Sequence, residues 1–529
     1  MGGLIVSALL ASACGRIGYN LLDPPDGQPT PATGGAAGST GTGSGGNSAS
    51  VGGAVASGGA VASGGAVASG GALGAAGAAG APSGGMNGAG GCAGTGGCGP
   101  GGPVLPVMVW GRLFGQYSDD FMNSVALTAA GTPIVAGAVE RDIVLSPVVT
   151  STGGAESLIV AYSADNVYQW HQRFVAANGG INGAQDLAVT GSRVLVAGEF
   201  SQTMNTSAGN LVFAAGQAHA YLVRMDNAGV AQSAMQINGG TEILSPCIAG
   251  GWVPVNVNTS LRFNGTTLNN SFGFGKVQFA SDFSAITQGK LFQSGTGGPE
   301  FDENYGCSST ADNSYFLTGV THGATDFGLG PITTAGGADA FVAAFASDGQ
   351  ARWSKSIGGL GTDMGQKVEY SAAGAVVYAL TEYSGTLTVG GTDTAVGLRD
   401  ILITGYDPLL GTLKWSLPIG SVSNDSVLAS SVDASGNLVF AASHRAPITR
   451  GVTQAEGTLS GLGTMLASVS PAGKLLWAMD LSDLAVADLA VAPSGDIYAV
   501  GNTADALITQ TQTLLPASVD GFLIKLSWL

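Results

Sequence analysis

The stretches GGADAFVAAFASDGQARWSKSIGG (336–359), GLRDILITGYDPLLGTLKWSLPIG (397–420) and LGTMLASVSPAGKLLWAMDL (462–481) are three copies of one sentence. Each runs from a Gly-rich or polar opening into a short apolar strand. A tight turn containing Gly follows, and then a strand carrying tryptophan. Trp353, Trp415 and Trp477 stand 62 residues apart. A repeat of this length holding several short strands means a radial or solenoidal array, and four strands per unit make it a β-propeller.

Working outward, the same parts recur from about Val107 to the C-terminus. Second strands alternate with a period of two in TPIVAGAV, SRVLVAGEF, SYFLTGVT, AVVYALTE, NLVFAASH and DIYAVGNT. Third strands are expected at 156–162, 218–225, about 274–281, 339–345, 400–406, 463–469 and 520–526, which gives seven blades. The last copy has no fourth strand of its own. VMVWGRLFG (107–115) has the form of one, with Trp110 in the tryptophan position. It is expected to complete the last blade and so close the ring, leaving no free sheet edge. The fold class is therefore all-β: a seven-bladed propeller of four-stranded antiparallel blades over 106–529.

The words GGADAF (336–341), the DG…W turn (348–353) and GGLGTD (358–363) resemble the SBBP-type seven-bladed propeller repeats of bacterial surface and secreted proteins. The resemblance spans about 420 residues and is weakest near 237–292. It implies the fold. It supplies no shared catalytic residue.

Ahead of the repeats the composition changes. Residues 27–109 contain no Asp, Glu, Lys or Arg. GGAVAS occurs three times in 52–69 and then decays into GALGAAGAAGAPSGG. Such glycine density cannot build a core, so residues 15–105 read as a low-complexity disordered tether. As a Gly-rich coil of about 80 residues it would reach roughly 50 Å. Residues 1–14 include LIVSALLASA, too short for a membrane span but suited to the apolar region of an export signal. ASAC (11–14) resembles a bacterial lipobox, with Ala11 where leucine is usual. It implies lipidation of Cys14 and, from Gly15, an outer-membrane or surface location in a Gram-negative bacterium. A conventionally cleaved signal is the competing reading.

Net charge is −17, and the 18 basic residues are scattered singly. Nucleic acid needs clustered Lys and Arg and is not an expected partner. No EF-hand, zincin, P-loop or GxSxG pattern occurs, and no two of His171, His219, His322 and His444 have metal-ligand spacing. The expectation is no metal, no cofactor and no catalytic residue.

Several polar and aromatic series follow the repeat. Asp119, Asn182, Glu242, Asp302, Asp363, Asp425 and Asp483 open the blades, and Glu156, His219, Asp339, Asp400 and Asp520 precede third strands. Local turn capping is their expected role, and an acidic funnel for a cation is the competing one. Trp110, Trp170, Trp353, Trp415 and Trp477 should pack between sheets, and an exposed one would suit sugar stacking. Cys92 and Cys98 are placed to close a small loop. Cys247 and Cys307 sit one repeat apart and would pair across neighbouring blades, or remain as two buried thiols.

Two functions remain in view. One is a non-catalytic interaction module of the cell envelope, a monomer held to the membrane through its N-terminal lipid and binding a protein or glycan. The other is an exported hydrolase or lyase acting on glycans. A cluster of carboxylates with exposed aromatics at one mouth of the channel would favour the enzyme. A mouth lined by Ala, Ser, Thr and Gly would favour the binder.

Overall fold

The computed structural model describes residues 104–528 apart from short internal segments, the longest at 213–218, 243–250, 293–301 and 454–458. These residues form seven antiparallel blades. From the inside outward, blade five is Met364–Ser371, Val376–Tyr383, Asp400–Tyr406 and Leu413–Ile419, and the other blades follow the same order. Third strands fall at Glu156–Tyr162, His219–Asp226, Gly273–Phe279, Asp339–Phe345, Asp400–Tyr406, Gly463–Val469 and Asp520–Ser527, where the repeat places them.

Blade seven takes its fourth strand from the other end of the fold. Val107–Phe114 pairs antiparallel with Asp520–Ser527, from Val107 opposite Ser527 to Phe114 opposite Gly521. The loop after most second strands also carries a two-stranded ribbon, such as Thr386–Thr388 with Thr392–Thr394. Blade two's ribbon strand Met204–Thr206 adds to the outer strand of blade one, through Met204 opposite Ala176.

The core lies in the seams between blades. Second and third strands are buried on both faces, and each seam holds its own apolar cluster. Val376, Tyr378 and Ile403 of blade five, for example, pack with Phe440, Met465 and Ala467 of blade six. A repeated tryptophan device fastens these seams. Four of the fourth-strand indoles donate to a carbonyl in the third-to-fourth-strand turn of the next blade. Trp110 reaches Ala164 at 3.2 Å, Trp170 reaches Asn227 at 2.9 Å, Trp353 reaches Pro408 at 3.1 Å and Trp415 reaches Pro471 at 2.9 Å. The turn glycine lies against the indole. Gly411 (φ 63°) and Gly473 (φ 79°) have left-handed backbone, and a β-carbon on either would run into Trp353 or Trp415. An aromatic residue on the second strand completes the device: Phe316 beside Trp353, Tyr378 beside Trp415, and Tyr498 beside Trp110.

Blades two and three depart from this scheme. Blade two's fourth strand, Ala231–Ile237, has no tryptophan. Blade three's fourth strand, Ile286–Phe292, has none either, and Trp252 on its second strand supplies the indole instead. Turn glycine Gly349 of blade four lies against it, and the Lys276 ammonium sits 4.5 Å from its ring and 4.2 Å from that of Phe345.

Each described full-length innermost strand contains a β-bulge. The register skips one residue at Met122/Ser124, Ala184/Asp186, Asn304/Gly306, Gly365/Lys367, Val427/Ala429 and Val486/Asp488. A bulge withdraws an amide from the ladder. Side chains from the preceding blade answer three of these amides: Asn502 accepts from Met122 N, Asn256 from Asn304 N, and Glu382 from Val427 N.

Candidate functional site

Innermost strands of six blades enclose a central channel with a cavity of about 410 Å³. The bulges decide what faces it. The residue after each bulge is Ser124, Asp186, Gly306, Lys367, Ala429 or Asp488, and two positions on stand Ala126, Ala188, Ser308, Glu369, Ser431 and Ala490. The wall is mostly small and aliphatic, with Asp186, Glu369, Asp488 and Lys367 set into it, and no aromatic residue or histidine lies among the described lining.

The acids are held within the wall. Ser124 Oγ lies 2.6 Å from Asp186 Oδ1 and 2.8 Å from Asp488 Oδ2, so one hydroxyl ties blades one, two and seven together. It has one proton and serves one carboxylate at a time. Backbone amides add to both: Leu187 N donates to Asp186, while Val125 N and Leu489 N donate to Asp488. Ser430 Oγ donates to Glu369 Oε1 at 2.9 Å. Burial pushes the Glu369 carboxyl up to about 8; Ser430 and Lys367 oppose that rise, and the charge of Asp488 adds to it. Among the described residues, no cluster of three or more His, Cys, Asp or Glu could hold a metal ion.

The blade-opening acids lie away from this channel wall, at the turns. Asp302 Oδ1 accepts from His322 N at 2.7 Å. Asp363 accepts from Gly359 N and Ser384 N, and Asp425 from Ser421 N and Oγ. In blade one this contact belongs to Asp120, which is fully buried and accepts from Glu140 N at 2.9 Å, while Asp119 one residue earlier is exposed. Burial pushes Asp120 up to about 7, and Asp363 and Asp425 to about 6.

The second series does similar work. Asp339 accepts from Ala335 N, Asp400 from Val396 N and Gly397 N, and Asp520 from Ala517 N. Glu156 pairs with Arg173, and His219 stacks on Phe200. Cys307 lines the channel and is disulfide-bonded. Cys14, Cys92, Cys98, Cys247 and Asp483 lie outside the described residues.

The channel acids Asp186, Glu369 and Asp488 and the lysine Lys367 are not singled out by the repeat. Asp186, Lys367 and Asp488 share one position, where the other described blades carry Ser, Gly or Ala, and Glu369 stands two positions on, where the others carry Ala or Ser. Only the bulge register brings them to one wall.

Fold and site together define a seven-bladed β-propeller. No family model and no curated protein matches the sequence. Solved structures that resemble it include BamB from Moraxella catarrhalis, at 12% identity with a TM-score of 0.37 over 79% of this chain and 100% of that one. The Dos1 propeller is 7% identical, with a TM-score of 0.40 over 79% of this chain and 95% of that one. A quinohemoprotein alcohol dehydrogenase from Comamonas testosteroni is 9% identical, with a TM-score of 0.36 over 80% of this chain and 76% of that one. These likenesses are of fold, and they assign neither a family nor an activity.

Proposed function

We infer that the protein is a non-catalytic interaction module of the bacterial cell envelope. One observation carries the reading: the channel is walled by Ala, Val, Leu, Ser and Gly, and its acids are tied to wall hydroxyls and amides. A catalytic carboxylate pair would flank a common point where a substrate bond is to lie. Here Asp186 and Asp488 converge on a serine of the wall. The SBBP-like repeat words fit the same reading.

Attachment through a lipid on Cys14 and a tether over 15–105 belongs to this proposal, motivated by the ASAC motif and the charge-free composition. Labelled palmitate should enter the wild-type protein and not Cys14→Ser. Cross-linking and pull-down from intact envelopes should then recover a discrete partner with the wild type and lose it with Cys14→Ser. Equal labelling of both proteins would end the anchoring claim. Turnover of envelope glycans by the purified protein, abolished in Asp488→Asn, would replace the module with an enzyme.

A further inference from the structure

Blade seven is the one blade whose third and fourth strands are not joined by a turn, because Val107–Phe114 comes from the other end of the fold. The seam between blades six and seven therefore lacks the glycine turn that covers Trp353 and Trp415 elsewhere. In its place lies Trp528, whose Nε1 donates to Gly495 O at 3.3 Å. A second departure coincides with the first. Where blades four, five and seven have Phe316, Tyr378 and Tyr498 on the second strand, blade six has Val439, and blade one, whose seam keeps its turn, has Ile134. One ring and one turn are missing from the same seam. What remains is a cleft of about 210 Å³.

Its walls are unlike those of the other seams. Trp477 is 7% exposed and Trp528 is 40% exposed, with ring centroids 5.6 Å apart and planes at 78°. The two indoles make a corner with one wall open to solvent. Asp433, Asn437 and Ser468 also line the cleft, and no Lys or Arg does. Asn437 donates through N and Nδ2 to Asp433, both at 2.8 Å, so these two polar groups are fixed in place.

We propose that this cleft binds one neutral pyranose ring of a glycan. The volume lies below that of pockets for drug-sized ligands and suits a single ring. An indole face carries negative potential and attracts the weakly positive C–H face that a pyranose presents. The carboxylate, amide and hydroxyl meet the hydroxyl edge of the same ring. A carboxylate without a basic neighbour in the lining disfavours an anionic ligand, and three polar groups disfavour a purely apolar one. The cleft lies in a seam and shares Val491 with the channel lining, but its polar groups and indoles are not channel residues, and its test uses purified protein, so its failure leaves envelope capture untouched.

The experiment titrates the full-length protein with maltotriose, cellotriose, laminaritriose, chitotriose and mannotriose, following tryptophan emission and saturation-transfer NMR. At least one should bind saturably, with a Kd on the order of 1 mM for a single stacked ring. Trp528→Ala should weaken binding by about tenfold or more. Val439→Phe restores the ring found at the equivalent position in blade four. It should abolish binding while leaving the unfolding midpoint unchanged or higher. Trp353→Phe, in a seam that has its turn, should bind as wild type. The proposal is overturned if none of the five sugars saturates, if Val439→Phe binds like wild type, or if N-acetylphenylalaninamide binds there more tightly than every sugar.

Discussion

Truncating Trp110 tests the closure of the ring. Its side chain is 8% exposed, packs edge-on against Tyr498 at 6.0 Å, and donates through Nε1 to Ala164 O in blade one. It therefore touches both sides of the seam between blades seven and one. Removing a buried indole costs about 3–5 kcal/mol through lost burial and the cavity left behind. Trp110→Phe keeps most of the ring and gives up the hydrogen bond, a loss of about 0.5–1.5 kcal/mol. Against a total stability of about 5–15 kcal/mol, the first change is severe and the second mild. Urea unfolding followed by circular dichroism should rank the proteins wild type, Trp110→Phe, Trp110→Ala in falling midpoint. Leu360→Ala, at a residue 87% exposed, should match wild type. If Trp110→Ala unfolds with Leu360→Ala, the strand Val107–Phe114 does not hold the ring, and the reasoning fails.

Three further outcomes are expected. Burial, opposed by the amide of Glu140 and reinforced by the charge of Asp520, raises Asp120 from 3.8 to about 7. Between those values the folded protein holds a proton that the unfolded chain has released, so its contribution to stability falls as pH rises from about 4 to 7; Asp120→Asn should flatten that slope in urea titrations at pH 4.5 and 7.5. A β-carbon at Gly420 would run into the Asp400 carboxylate, so Gly420→Ala should cost about 1–3 kcal/mol, and less in an Asp400→Ala background; equal costs in both backgrounds would rule out the clash. Peptide mapping without reductant should recover Cys307 joined to Cys247, the pairing the repeat suggests, and recovery of Cys307 joined to Cys92 or Cys98 would refute it.

The fold was legible because its signal is repeated. Tryptophans 62 residues apart at Trp353, Trp415 and Trp477, each with a glycine turn before it, mark a contact that recurs at several seams, so the same physical need writes the same word several times. The closing strand was legible for the same reason, since Trp110 is one more copy of that word. Blade three was faint because Trp252 answers the need from a different strand, and periodicity does not see the exchange. The ribbons after the second strands read as plain loops because two or three paired residues leave no pattern. The channel was illegible. A bulge is a property of pairing between two strands, and nothing in FMNSVAL or MGQKVEYS marks which residue is skipped. Shifting the register by one decides whether Ser124 or its neighbour faces Asp186 and Asp488. Asp119 and Asp120 show the same limit on a smaller scale, because two adjacent aspartates offer no composition signal for which one is buried.

The pairing of Val107 with Ser527 joins residues 420 positions apart in the sequence. In chain growth from the N-terminus, the strand that completes the ring is made first and its partner last. At 5–20 residues per second the interval is roughly 20–80 s. Throughout it, Trp110 and Phe114 have no native partner strand, while six blades have all their own strands and can assemble. The final step is then a search by one early segment for one late one. Its entropic cost grows only slowly with the separation, but its delay is set by the number of residues made in between. That interval is the period in which a holdase has something to hold.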